Sequence, residues 1–171
     1  MSLLVVGSVA YDNIETPWGK RKNILGGSAV YFSYGACLFG PVRLVGVVGD
    51  DFRFDEEMES LRARRIDLHG LKQVKGKTFT WTGRYTDDMS RAETVAVELG
   101  VFGKFQPTIP ESYRKSDCVF LANASPKTQY KVLTQIKRPK LVMADTMNYW
   151  IDNEKRALIK LIENIDGLIV N

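Results

Sequence analysis

The chain has 171 residues, of which 44% are hydrophobic and 26% are charged. This composition is typical of a single globular domain and excludes a disordered tail or a fibrous chain. The 24 basic and 20 acidic residues give a net charge of +4; this is too small to indicate nucleic acid, so we expect a small-molecule partner.

Cysteine usage and hydropathy indicate the cellular setting. Cys37 and Cys118 lie far apart in apolar stretches, where buried free thiols are more common than disulfides. No apolar run approaches the roughly 18 residues of a membrane helix, and residues 1–6 lack the basic lead of a secretion signal. We therefore expect a cytoplasmic protein with no membrane partner.

Short apolar runs alternate with longer segments along the chain. Runs that are too short for helices and apolar at consecutive positions predict strands of a parallel sheet. The predicted strands are Leu3–Gly7, Leu44–Val48, Val119–Ala122, Leu141–Ala144 and Leu168–Val170. The predicted helices are Ser28–Phe39, Phe52–Ile66, Lys127–Ile136 and Asn153–Asn164. This alternation predicts an α/β fold with a mainly parallel sheet flanked by helices.

Two segments break this alternation. Thr78–Tyr85 and Thr94–Leu99 alternate with period two and predict a hairpin, with Phe79, Trp81 and Tyr85 on a face that needs a cover. Asn13–Thr16 is also extended and can return through residues 22–25. Segments 13–25 and 76–100 therefore predict a small β-sheet that stands off the main one.

Two features near the N-terminus could bind a ligand. The Gly26-Gly27 pair precedes a predicted helix that begins at Ser28, and such a bend lets a ligand approach bare backbone and the helix N-terminus. Asp12 follows the first strand and could accept hydrogen bonds from two neighbouring hydroxyls. The alternatives are a plain tight turn at the glycines and an aspartate that caps its own loop.

Metal and phosphate-loop sites are not expected. His69 is the only histidine, so a His-rich metal site cannot form and we assign no metal ligand. Residues 70–78 end in Gly-Lys-Thr, but five residues separate their glycines where a phosphate-binding loop has four. Asp50 or Asp51 is expected to cap the helix that follows.

The order of three motifs resembles the N-terminal part of the ribokinase-like, or PfkB, family of carbohydrate kinases. Those enzymes open with a V-V-G-S strand and a nearby aspartate, continue with a G-G-S/K-A helix start, and then have a strand that ends in V-G-x-D. This chain has Val5–Ser8 followed by Asp12, then Gly26–Ala29, then Val47–Asp51. The resemblance covers nearly all of the chain, and the inserted hairpin is similar to the family's substrate lid.

The resemblance implies ATP-dependent phosphorylation of a sugar or similar alcohol, with ATP and Mg²⁺ as cofactors. It also implies a homodimer that pairs through the lid. Residues 1–171 would be the N-terminal part of the kinase domain, without the C-terminal ATP-binding part. The catalytic base would lie beyond Asn171, because no segment similar to the family's Gly-Ala-Gly-Asp occurs here, and the chain alone would be inactive.

The resemblance also implies roles for individual residues. Asp12 matches the family's sugar-binding carboxylate, and Gly26, Gly27 and Ser28 match the segment beside the substrate. Tyr31 stands where many members have asparagine. It could stack on a ring or hydrogen-bond through its hydroxyl, although its spacing from Tyr34 also fits a core position.

Two residues at strand ends are assigned in the same way. Asp145 follows a predicted strand at the edge of the sheet where ligands bind in such folds, and it is expected to contact the substrate. Asn171 resembles the start of an N-x-x-E motif close to the phosphates and Mg²⁺.

Two other functions remain open. The chain could be a sugar- or nucleoside-binding module without catalysis, or a module that mainly dimerises through its aromatic hairpin. Ala10 stands where ribokinases have an asparagine that binds a hydroxyl, which argues against ribose as the substrate.

Overall fold

A computed structural model describes residues 1–86 and 88–170, with the side chain of residue 54 excepted. The strands are β1 (Leu3–Val6), β2 (Ala10–Thr16), β3 (Gly19–Gly26), β4 (Val42–Val48), β5 (Ile66–Gln73), β6 (Phe79–Tyr85), β7 (Ala92–Glu98), β8 (Cys118–Leu121), β9 (Leu141–Asp145) and β10 (Gly167–Ile169). The helices are α1 (Ser28–Ala36), α2 (Phe54–Arg62), α3 (Pro126–Leu133), α4 (Asn148–Asn153) and α5 (Lys155–Ile162).

The main sheet has the strand order β10-β9-β8-β1-β4-β5, and its paired strands are parallel. One hydrophobic cluster packs α1 and α2 on one face of the sheet, and a second packs α3 and α5 on the other. Strands covered on both faces need apolar side chains at consecutive positions, which explains the runs in the sequence. The predicted α/β fold is confirmed.

The sequence-based prediction missed strand β5. Its first four residues alternate between buried and exposed, because an edge strand contacts the core with one face only. Such a strand lacks the consecutive apolar residues that identify the other strands of the sheet, and the predicted helix 52–66 runs into it. In the structure α2 ends at Arg62 and β5 begins at Ile66.

The small sheet is present and has the order β3-β2-β6-β7. Strand β2 pairs with β6 in parallel and with β3 antiparallel, and β7 completes the hairpin with β6. We call this sheet the lid. Strand β2 begins at Ala10 rather than near residue 13, so Asp12 lies on a strand and not in a loop.

The base of the lid is held by two aspartates. Asp51 Oδ1 accepts from the backbone N–H and the hydroxyl of Thr78, both at 2.7 Å. Asp50 accepts from the N–H of Gly76 at 3.3 Å. The expectation that one of them caps α2 is wrong, because the cap residue is Arg53 and no side chain caps the helix.

Across residues 1–86 and 88–170, none of the helices combines the length and the apolar character that a membrane span requires.

Candidate functional site

Asp12 lies where the lid meets helix α1. Only 6% of its surface is exposed, and its Oδ2 accepts a hydrogen bond from the hydroxyl of Tyr31 at 3.0 Å. Tyr31 reaches it because α1 packs on the main sheet through other positions, among them Phe32, whose ring stacks on Phe120 with centroids 3.6 Å apart. Tyr31 itself is 51% exposed, so it is not a core residue.

The two glycines are required by this arrangement. A Cβ atom on Gly26 would overlap the carboxylate of Asp12. Gly27 has φ +93°, and a Cβ atom there would overlap the carbonyl oxygen of Ser8. The first glycine therefore leaves room for the carboxylate, and the second allows the left-handed bend that starts α1.

Ser8, in the loop after β1, provides hydrogen-bond acceptors for the first backbone N–H groups of α1. The N–H of Ser28 donates to the hydroxyl of Ser8 at 3.1 Å, and the N–H of Ala29 donates to its carbonyl at 3.2 Å. The hydroxyls of Ser8 and Ser28 are also 3.1 Å apart. These two amides therefore have partners inside the protein, and side chains are left as the main contacts for a ligand.

Burial and hydrogen bonding act in opposite directions on Asp12. Burial raises the pKa of its carboxyl, while the hydroxyl of Tyr31 and the backbone N–H of Gly27 lower this pKa in part. Burial and the neighbouring Asp12 together raise the pKa of Tyr31 to about 12. Tyr31 thus remains a hydrogen-bond donor to Asp12 at physiological pH.

This pair gives a pH-dependent prediction for ligand binding. In Tyr31→Phe the carboxylate loses a donor, so the pKa of Asp12 rises further. If the ionised carboxylate binds the ligand, the fall in affinity on acidification then begins at a higher pH. Calorimetric titrations with a sugar or nucleoside ligand between pH 4 and 8 measure this midpoint.

Tyr34→Phe is the matched control. Tyr34 lies on the same helix, but its hydroxyl contacts Ser60 at 3.4 Å instead of Asp12. The same midpoint in Tyr31→Phe and Tyr34→Phe would exclude the proposed effect.

The lid presents apolar side chains on the same face as Asp12. Paired residues of neighbouring strands share a face, and Asp12 pairs with Ile24 and with Trp81, which in turn pairs with Val97. The indole ring of Trp81 covers Gly83, where a Cβ atom would overlap it. This pairing matches the predicted alternation in β6.

An open cavity of about 430 Å³ lies along the lid between β2 and β3. Lys20 and Arg21 are among its lining residues, and Asp12 is not. Ile14, Ile24 and the 75% exposed Trp18 contribute to its lining. Ile14 lies two residues beyond Asp12 on β2 and therefore on the same face. A ligand held by the carboxylate thus has an apolar surface beside it.

Asp145 lies at the carboxyl end of β9. Burial raises the pKa of its side chain to about 7. Its Oδ1 atom is buried, and no hydrogen-bond partner is found for it in the part of the chain that is described. Its backbone carbonyl accepts from the amide of Gln129 at 2.9 Å, which fixes this strand end against α3.

The predicted site residues separate into two groups. Asp12, Gly26, Gly27 and Tyr31 are in contact, with Ser28 next to them. Strand β8 separates β9 from β1, so the carboxyl ends of β1 and β9 are about 10 Å apart along the sheet edge. Asp145 therefore belongs to a different part of that edge.

Some predicted features lie outside these groups. Asn171 is outside the described residues. Among the described residues, no cluster of three or more His, Cys, Asp or Glu side chains could hold a metal ion. Ser8 was not singled out from the sequence, although it belongs to the V-V-G-S segment that carried the resemblance.

Comparison with characterised proteins finds a kinase whose sequence is similar to this chain. The chain is 29% identical over 175 residues to a cytidine kinase of Thermococcus kodakarensis, and the match covers all of this chain and 62% of that enzyme. No family model matches the chain.

Solved structures show the same fold. A nucleoside kinase of Methanocaldococcus jannaschii, an archaeal member of the ribokinase family, superposes with a TM-score of 0.75 at 20% identity, over 99% of this chain and 60% of that one. A Burkholderia thailandensis nucleoside kinase in complex with inosine superposes with a TM-score of 0.67 at 14% identity, over 98% and 69% of the two chains. The chain has the ribokinase-like fold, which confirms the resemblance inferred from the sequence. It spans about 60% of the cytidine kinase and of the archaeal nucleoside kinase.

Proposed function

We propose that the chain is the substrate-binding and lid-bearing part of a ribokinase-like kinase, which transfers the γ-phosphate of ATP to a hydroxyl group of a sugar or nucleoside. The buried carboxylate of Asp12, placed between the Gly26-Gly27 bend and the lid, carries this proposal. The similarity to a cytidine kinase over the whole chain supports it.

The carboxylate suits a substrate with neighbouring hydroxyls. An ionised carboxylate accepts at two oxygens with about four lone-pair sites, so the donor from Tyr31 leaves capacity for two substrate hydroxyls. Hydrogen bonds to a charged acceptor are stronger than neutral ones. Asp12 thus holds the alcohol in one orientation, and orientation is a main source of catalysis in phosphoryl transfer.

Among alcohols, the lid favours a nucleoside. A free sugar has only small apolar C–H patches, whereas the base of a nucleoside is a larger ring surface that Ile14, Ile24 and Trp81 on the face of Asp12 would contact. Cytidine is therefore the first substrate to test, and a sugar such as ribose is the comparison. Tighter binding of the sugar would reverse this preference.

In the whole kinase the C-terminal part would hold ATP and Mg²⁺, and the phosphates would face the other part of this sheet edge. The unpartnered Oδ1 atom of Asp145 is an acceptor that fits a place close to the phosphates or the substrate. The described residues do not form a metal site by themselves, so Mg²⁺ would come with the nucleotide. Asn171 keeps its proposed place near the phosphates.

We expect two catalytic features to lie outside this chain: the catalytic base, and the backbone amides at a helix N-terminus that would stabilise the charge on the phosphate. We expect the purified 171-residue chain to bind cytidine but not to phosphorylate it, because it has no segment similar to the family's Gly-Ala-Gly-Asp. Calorimetry measures the binding, and release of ADP measures the reaction. Phosphorylation of cytidine by this chain would disprove the proposal that it binds the substrate without carrying the catalytic groups.

A binding module without catalysis remains the alternative. The same carboxylate and lid would bind a nucleoside in a sensor, and Ala10 and Tyr31 depart from the pattern of ribokinases. A reading frame that continues with a glutamate three residues after Asn171 and a later Gly-rich segment ending in Asp favours the kinase. A frame that ends at Asn171 favours the sensor.

We also propose that the lid pairs two copies of the chain. Strand β7 is exposed along its length, and Val97 on the face of Trp81 is 45% exposed. Val97→Lys and Trp81→Ala are therefore expected to shift the chain from dimer to monomer in sedimentation analysis. Ile159→Lys adds the same charge on α5 at a similarly exposed position and should have no effect.

An unchanged oligomeric state in both lid variants would disprove this interface. A large fall in the melting temperature of Trp81→Ala without dissociation would show that Trp81 serves the fold instead.

The proposed location is the cytoplasm. Cys37 and Cys118 are both unpaired, and free thiols are typical of a reducing compartment. ATP is also available there as the phosphate donor.

A further inference from the structure

A second cavity lies away from Asp12. It measures about 290 Å³ and is bounded by β4, the end of β5 and residues 101–108. Val45 and Val47 in its wall belong to the hydrophobic cluster that packs α3 and α5, whereas α1 packs on the opposite face of the main sheet. The two sites therefore open on different faces.

The rim of this cavity is positively charged. Lys72, Lys75 and Lys104 line it, and none of the ion pairs in the described part of the chain involves them. No carboxylate is found among the described lining residues. Lys131 adds a fourth cation at the edge, since its ammonium donates to Gln106 at 2.5 Å. Three cations thus line the cavity and a fourth lies at its edge, and no anion among the described lining residues neutralises them.

The wall of the cavity has a different character from its rim. Val47, Val101 and Phe105 contribute apolar surface, and Thr108 adds one hydroxyl. An apolar wall below a cationic rim suits a molecule with an apolar body and an anionic end, because each part then meets its complement. Bulk water or a simple salt ion would use only one of these surfaces.

We propose that this cavity binds a small organic phosphate, in which a phosphate dianion is joined to an apolar body. Lysine ammonium groups are mobile point charges that bind phosphate well. A dianion interacts with three cations about twice as strongly as a carboxylate does, so phosphate is preferred over carboxylate. The volume of about 290 Å³ lies just below the usual range for ligand cavities, about 300–1,000 Å³, and admits one small ring.

Phenyl phosphate is the probe for this proposal. It carries both parts of the ligand, whereas inorganic phosphate lacks the apolar body, benzoate carries one negative charge and benzyl alcohol carries none. We expect phenyl phosphate to bind most tightly in calorimetric titrations of the chain, and its affinity to fall as salt is added. In NMR spectra the shifts should map to the amides of Val47, Val101 and Phe105.

Paired variants test the lysines. Lys72→Gln with Lys104→Gln is expected to weaken phenyl phosphate binding by about tenfold or more, as the loss of charge-assisted hydrogen bonds does. Lys137→Gln with Lys155→Gln removes the same charge from exposed positions elsewhere and should change the affinity by less than about twofold.

Other outcomes would overturn the proposal. They are equal binding by the two double variants, equal binding of benzyl alcohol and phenyl phosphate, no binding of phenyl phosphate, or NMR shifts at Gly27 and Tyr31. Asp12→Asn should leave the binding of phenyl phosphate unchanged, which separates this site from the proposed substrate site.

Discussion

Asp12→Asn is expected to weaken cytidine binding by about 1.5–3 kcal/mol, the usual contribution of hydrogen bonds to a charged group. This corresponds to a roughly 10- to 150-fold rise in the dissociation constant. Asparagine has the same shape, but it replaces one anionic acceptor by a donor. Isothermal calorimetry of the native chain and the variant measures the difference.

The fold should tolerate this substitution. Burial raises the pKa of Asp12, so the ionised carboxylate lowers stability and its removal does not destabilise the protein. Asp55→Asn is the control, because Asp55 is exposed in the first turn of α2. Equal affinity for cytidine in the native chain and both variants would remove Asp12 from the site.

Asp145→Asn is expected to stabilise the chain at neutral and alkaline pH. Burial raises the pKa of Asp145 from 3.8 to about 7. Each unit of pKa corresponds to about 1.4 kcal/mol, so ionisation of this side chain lowers the free energy of unfolding by about 4 kcal/mol at most. The variant avoids this loss because its side chain carries no charge.

The sign of the pH dependence follows from the raised pKa. Below pH 3.8 the side chain is protonated in both the folded and the unfolded states and has no effect. Between this pH and about 7 the folded state binds more protons, so the native chain loses stability as the pH rises. Above pH 7 the loss is complete and constant.

Urea unfolding of Asp145→Asn and the native chain between pH 4 and 8 tests this expectation. The difference in the free energy of unfolding should grow up to about pH 7 and then stay constant. Asp152→Asn is the control, because Asp152 is exposed on α4, and it should follow the native chain. If the difference does not change with pH, then ionisation of Asp145 does not lower the free energy of unfolding, and the prediction is wrong.

Asp12 and Asp145 share a property that supports the proposed function. Each is a carboxyl group whose pKa is raised by burial at the edge of the fold where α/β proteins bind ligands. A charged or hydrogen-bonding ligand would offset the loss of stability at either place. A loss of stability at particular side chains is typical of residues that are retained for binding or catalysis.

The sequence predicted the position of Asp12 but not its partner. The order of the motifs places Asp12 before the glycine pair, of which Gly26 leaves room for its carboxylate and Gly27 allows the bend that starts α1. Helical spacing alone could not decide whether Tyr31 faces the site or the core, because this depends on how α1 packs on the sheet. That packing involves Phe120, more than eighty residues along the chain.

The sequence predicts most reliably the strands that are buried on both faces of the sheet. Strands covered on both faces have a clear apolar pattern, whereas β5 at the edge does not. The parallel pairing of β2 with β6 and the contacts of Asp51 with Thr78 join residues far apart in sequence. Local patterns carry no information about such pairs, so these contacts required the structure.

The most direct test is an NMR titration of the chain with cytidine, in which the backbone amide shifts show where the ligand binds. We predict a saturable change centred on Asp12, Gly27 and Tyr31, together with Trp81 of the lid. Shifts confined to other surfaces, or no saturable binding of cytidine or of the sugars tested beside it, would contradict the proposed site.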